Sequence, residues 1–148
     1  MGDQRFWELC AIGDIEGVQA AIDNDADVNE DSYWGATGLM CALNNGYNNV
    51  VQLLLQHPQI NVNKVDEDGS SALDFAVAYD NHEGLGALLA QHDELTSIIN
   101  LRDSDGWTPI MFAVVQNSMN SFQLLLTNPH VDLDTRDDYE RNPQEFCW

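Results

Sequence analysis

Cationic side chains are scarce in this chain. Five lysines and arginines stand against 25 aspartates and glutamates, a formal charge of −20 over 148 residues. A surface so charged repels nucleic-acid phosphates and anionic lipid, which argues against direct binding of DNA, RNA or a membrane surface. It attracts basic proteins and speeds their encounter, with solubility or adaptation to salt as the plainer alternative. Cysteine is sparse too. Cys10, Cys41 and Cys147 are odd in number and lack metal-ligand spacing, so they read as reduced core thiols of a cytoplasmic or nuclear protein. No apolar run approaches a membrane span, since even Val50 to Leu55 is broken by Gln52. The opening Met1-Gly-Asp-Gln-Arg-Phe-Trp7 shows no signal region, and Phe6 stands where a myristoylation motif needs Ser or Thr.

Motifs of catalysis are missing as well. There is no Gly-x-Ser-x-Gly elbow, His-Glu-x-x-His pair or phosphate-cradling glycine loop, and carboxylates are spread over turns. The expectation is a non-enzymatic protein with no cofactor, metal or small-molecule substrate. Asp66-Glu-Asp68-Gly69 and Asp103-Ser-Asp105-Gly106 look at first like calcium loops, but Lys64 or Leu101 and Phe75 or Phe112 occupy the ends where an EF-hand needs ligands. These acids read as turn residues. His57, His92 and His130 fall in successive connections, too far apart to share a metal, and His82 reads as a helix-entry contact.

What is present is a phrase that returns. Gly35-Ala-Thr37-Gly-Leu39-Met-Cys-Ala42 is followed by Gly69-Ser-Ser71-Ala-Leu73-Asp-Phe-Ala76 and Gly106-Trp-Thr108-Pro109-Ile110-Met-Phe-Ala113, at offsets of 34 and 37 residues. A period of this size denotes stacked supersecondary units. Each Gly follows acidic turn residues and supplies the positive φ of a tight hairpin. Thr37, Ser71 and Thr108 then stand as helix N-caps, with Pro109 at the first helical position. Leu39/Ala42, Leu73/Ala76 and Ile110/Ala113 lie on one helical face, which predicts a short first helix. Polar breaks at Asn44-Asn-Gly46, Tyr79-Asp-Asn81 and Gln116-Asn-Ser118 precede leucine-rich second helices around Val50–Leu55, Leu85–Leu89 and Phe122–Leu126.

These motifs resemble the ankyrin repeat, with its Gly-x-Thr-Pro-Leu-x-x-Ala opening, double helix and closing Asp-Val-Asn. The resemblance implies an all-α helix-helix-hairpin solenoid of four repeats plus a truncated fifth opening. Its units are a capping repeat at 4–31, repeats at 32–65, 66–102 and 103–136, and a partial repeat at 137–148. Where the family usually has His after the Leu, this chain has Met40, Asp74, Met111 and Glu145, so the histidine's hydrogen bond to the hairpin is lost or remade. The connection from Gln91 to Ser97 is longer than usual, and Gly84 and Gly86 interrupt a second helix, making that repeat the expected weak link. Asn63 is similar to asparagines hydroxylated in ankyrin repeats, with a structural hydrogen bond as the alternative.

In ankyrin-like stacks the hairpin tips and first helices form a concave binding face. Residue by residue, this picks out Tyr33, Trp34, Ala36, Asn44 and Asn45 in one unit and Glu67, Asp68, Ser70, Ala78 and Tyr79 in the next. Ser104, Asp105, Trp107, Val115 and Gln116 follow, then Asp138, Tyr139 and Arg141. Aromatic anchors among carboxylates suit a basic or amphipathic protein segment. Alternatively, Trp34 and Trp107 simply pack across neighbouring hairpins. The resulting expectation is a protein–protein interaction module, an adaptor or a masking inhibitor of a basic partner. Two alternatives stay open: a subunit completed by neighbouring chains around Phe146, Cys147 and Trp148, and an acidic mimic of nucleic acid.

Overall fold

The computed structural model describes residues 4–91 and 93–146. The expectations attached to His92, Cys147 and Trp148 therefore lie outside the described residues. Four helix pairs follow one another: α1 (Phe6–Ile12) and α2 (Ile15–Asp23), α3 (Gly38–Asn45) and α4 (Asn48–Leu55), α5 (Ala72–Ala78) and α6 (His82–Gln91), α7 (Pro109–Val115) and α8 (Met119–Leu126). A single 3₁₀ turn, Pro143–Glu145, follows in the place of a further first helix. Neighbouring first helices pack together from α1 to α7, and the second helices pack likewise from α2 to α8. One core lies between the two layers, filled by Leu39, Leu43, Leu54, Leu73, Leu85, Leu88, Ile110 and Leu125. No single unit could bury these side chains alone.

Each first helix ends on a residue at positive φ. Gly13 and Gly46 fill the position in the first two units and Asp80 and Asn117 in the next two. Asp and Asn are among the few side chains that tolerate this region, so the substitution for glycine is permitted.

The replaced histidine is answered at each of these units by the side chain that stands in its place. The side chain three residues into the helix returns to the N-cap backbone N–H: Met40 Sδ to Thr37 at 3.4 Å, Asp74 Oδ2 to Ser71 at 2.9 Å, Met111 Sδ to Thr108 at 3.5 Å and Glu145 Oε2 to Asn142 at 2.8 Å. The hydrogen bond is remade, with a soft sulfur acceptor in two of the four cases.

Hairpins are built by one polar side chain apiece. Ser32 Oγ accepts the N–H groups of Trp34 and Ala36, Asp66 Oδ1 those of Asp68 and Ser70, Asp103 Oδ1 those of Asp105 and Trp107, and Asp137 Oδ1 those of Tyr139 and Arg141. The tips are tied in series, since Glu67 N–H donates to Trp34 C=O at 3.0 Å and Ser104 N–H to Asp68 C=O at 2.8 Å. Gly35 (φ +80°) lies under the next hairpin, where an added Cβ would be 3.1 Å from Asp66 Cα. Glycine is required there for conformation and for close approach.

The long connection is not an exposed loop. A 3₁₀ turn at Asp93–Ser97 folds Leu95, Ile98 and Ile99 into the core. Asn29 and Asn100 clip each connection to the one ahead, accepting the N–H of Asn61 and of Asp132, both at 2.7 Å. Asn63, displaced by the longer connection, instead accepts the Ser97 hydroxyl at 2.9 Å.

Candidate functional site

The hairpins and first helices form one continuous face, and its aromatic side chains divide into two groups. Tyr33, Trp34, Tyr79 and Tyr139 stand exposed, with Trp34 at 74 %. Trp107 does not: its ring stacks on Phe112 at 6.5 Å and meets Phe146 edge-on at 6.4 Å. Packing across neighbours thus describes the ring of Trp107, whereas that of Trp34 is largely exposed and its backbone C=O accepts the Glu67 N–H of the next hairpin. Arg141 is also committed within the fold. It pairs with the buried Asp137 at 2.8 Å and lies over the rings of Tyr139 and Phe146 at 5.1 and 4.5 Å.

Asn44, Asn45 and Tyr79 come together around an open cleft of about 520 Å³, completed by Gly46 and Asn81. Asn81 is fixed there because its amide donates to Leu43 C=O and Asn48 Oδ1, both at 2.9 Å, while its Oδ1 accepts the Gly84 N–H. Asn45 donates to Ala11 C=O at 3.0 Å, which ties two first helices. Gln116, Glu67, Asp68, Ser104 and Asp105 are exposed along the same face.

Every cationic side chain of the chain is already paired. Arg5 meets Glu30, Lys64 meets Asp31, Arg102 meets Asp138, Arg136 meets Glu145 and Arg141 meets Asp137. On the central tips Arg102 lies against Gly106 C=O beside Asp105, while Glu67 and Asp68 take part in none of these pairs.

Beneath these tips lies a smaller cavity of about 100 Å³, lined by Asn44, Ser70, Asp74, Phe75, Ala78 and Phe112. Asp74 is 3 % exposed. Its Oδ2 accepts the Ser71 N–H at 2.9 Å and hydroxyl at 3.3 Å, whereas its Oδ1 is buried with no hydrogen-bond partner. Burial pushes this carboxyl up to about 7; the Ser71 N–H opposes the shift and Asp103 and Asp66 reinforce it. Nothing in the sequence pattern separated Asp74 from its turn acids except its place at the usual histidine position.

Asp80 behaves oppositely. Burial disfavours its charge, but the N–H of Ser121 and the amide of Asn120, at 2.8 and 2.9 Å, hold its carboxyl below the ordinary range. Burial likewise pushes the Cys10 thiol up to about 12 and that of the half-buried Cys41 up to about 11. Cys41 is more open than a core position would be. His57 Nδ1 accepts the Gln59 N–H, and His82 opens α6 with a ring nitrogen 3.3 Å from Asp80 C=O. No helix among the described residues is long and apolar enough to cross a membrane.

Comparison with known proteins agrees with this architecture. The profile of three consecutive ankyrin repeats matches residues 6–98, and that of a single ankyrin repeat matches residues 105–138. Rabankyrin-5 of Homo sapiens is 25 % identical over 121 residues, covering 82 % of this chain and 10 % of the relative. Neurogenic locus notch homolog protein 1 of Mus musculus is 35 % identical over 74 residues, covering 50 % of this chain and 3 % of the relative. The chain thus spans a tenth or less of the relatives it matches. On its repeated hairpins, paired helices and these matches, the chain belongs to the ankyrin-repeat family, whose repeats are protein–protein interaction modules.

Proposed function

We propose that this chain binds a basic or amphipathic segment of a protein partner along its hairpin tips and first helices, as an adaptor or as a masking inhibitor. The stack works as four units with a partial fifth, and its concave side is the recognition face. One observation carries the reading: all five cations are paired internally, while the central tips expose Glu67, Asp68 and Asp105 and the rings of Trp34 and Tyr79 stand exposed. A cationic segment would meet a net negative field and exposed aromatic anchors. Trp34, Tyr33 and Tyr79 act as anchors, and Glu67, Asp68 and Asp105 supply charge. Asn44, Asn45, Ser104 and Gln116 offer polar contacts, and Tyr139 extends the face. Trp107 and Arg141 hold its shape from below.

Affinity capture at low and moderate salt tests this, comparing the chain with a Trp34→Ala/Tyr79→Ala version of unchanged helicity. Trp107 is left in place because its ring packs within the fold. A basic protein kept at moderate salt and lost by the double variant supports the proposal. Partners that vanish with salt and ignore the substitutions would point to charge alone, as for a nucleic-acid mimic.

A further inference from the structure

We infer that the cavity over Asp74 seats a lysine ammonium from the bound partner segment. The inference rests on the basic-partner reading above and gives it a specific address. Three successive first helices contribute to the cavity, Asn44 from α3, Asp74, Phe75 and Ala78 from α5, and Phe112 from α7. At its floor is a carboxylate with one oxygen engaged and one without any donor. An orphaned acceptor costs about 1–3 kcal/mol, more when charged, and a visiting N–H removes that cost. No cation of the chain is paired with it, since all five are engaged with other carboxylates.

The chemistry selects lysine over arginine. A guanidinium presents a planar fork that fits two carboxylate oxygens together, but Oδ2 is already held by Ser71. A compact ammonium on a flexible stem needs only one free oxygen. The half-buried rings of Phe75 and Phe112 line the cavity and suit both the methylenes and the charge. Among the groups facing Asp74, Asp66 lies on the hairpin before α5 and Asp103 on the next hairpin, and both raise the negative potential. Neither of the cavity residues from α3 and α7, Asn44 and Phe112, titrates.

The test uses a peptide of alternating lysine and alanine and its arginine–alanine counterpart, titrated calorimetrically at about 0.15 M salt, where exposed charges are screened beyond ~8 Å. The chain is compared with Asp74→Asn, which keeps an oxygen for the Ser71 N–H, and with Glu67→Gln/Asp68→Asn/Asp105→Asn. Asp74→Asn is expected to weaken the lysine peptide about tenfold or more, the loss of one charged hydrogen bond, and the arginine peptide less than about twofold. The triple variant should weaken both peptides alike. Binding of the lysine peptide should strengthen from pH 6 to pH 8 in the unaltered chain, as the Asp74 carboxyl near 7 ionises, and stay flat in Asp74→Asn. Equal, small losses of both peptides in Asp74→Asn would overturn the lysine seat and leave the acidic face standing. Failure of both peptides to bind the unaltered chain would overturn both.

Discussion

Two glycines in α6, two residues apart, should respond to the same substitution with opposite signs. A Cβ built at Gly86 meets nothing within 4 Å. Gly86→Ala therefore gains the helix propensity of alanine, about 1 kcal/mol, without new contacts. At Gly84 the same Cβ falls 2.6 Å from Asn81 Nδ2, 2.9 Å from Asn48 Oδ1 and 2.9 Å from Leu43 Cδ2. Asn81 cannot yield freely, because its side chain holds Leu43 C=O, Asn48 and the Gly84 N–H together. Overpacking at about 1–3 kcal/mol and one or two hydrogen bonds at about 1 kcal/mol each outweigh the propensity gain. A net loss of about 2 kcal/mol is expected. Urea unfolding monitored by far-UV circular dichroism measures both, with slopes compared to confirm that the unfolding unit is unchanged. In thermal scans Gly86→Ala should rise by about 2–4 °C and Gly84→Ala fall by more. Movement of both variants in one direction would refute the reasoning, since propensity is common to them and only the surroundings differ.

Other expectations follow from the same geometry. Asp74→Asn should leave stability unchanged near pH 4 and exceed the unaltered chain increasingly up to pH 7. The folded carboxyl sits near 7 against the usual 3.8, so its ionisation opposes folding by up to about 4 kcal/mol, a gap that thermal unfolding across pH measures. Gly35→Ala combines positive φ with a backbone collision and should cost about 2–4 kcal/mol by urea titration; Gly46→Ala, with positive φ in open space, should cost only about 1 kcal/mol. Asp80→Ala removes the acceptor for Ser121 N–H and puts alanine at positive φ, so it should cost about 2–4 kcal/mol, with hydrogen exchange at Ser121 accelerated. By NMR titration Asp80 should ionise below the ordinary carboxylate range, so its contribution is present at neutral pH and lost in acid.

The repeated Gly–Thr/Ser–Leu–Ala phrase sufficed to place the helix pairs, because its signals are local: a turn glycine, a cap and residues three apart. Other features depend on contacts between units, which no local pattern carries. Met40 and Met111 stand where the family has histidine, which leaves its hydrogen bond lost or remade, and only the folded cap shows their sulfurs facing an N–H. The stretch from Gln91 to Ser97 reads as a polar connection, yet Leu95 turns inward once a 3₁₀ turn forms. Trp34 stands just before its turn glycine and Trp107 just after its own, which does not by itself say which ring packs. They differ because Phe112 and Phe146 lie beside one ring, and among the described residues no aromatic pair lies beside the other. Likewise Asp74 is one carboxylate among 25 until burial separates it from the turn acids around it.

Asp80 belongs to the third unit in the chain and to the fourth in its bonding, since it supplies the acceptor at the start of α8. The covalent period and the bonded period are therefore out of phase at this joint. Anyone shuffling repeats, or grafting a consensus unit after α5, would cut the cap from its helix if the seam were placed by sequence alignment. A seam inside the Asp93–Ser97 turn would keep Asp80 but split the Leu95–Ile98–Ile99 cluster that the turn carries inward. The third and fourth units are one cassette for exchange, and interchangeability in this stack is a property of pairs.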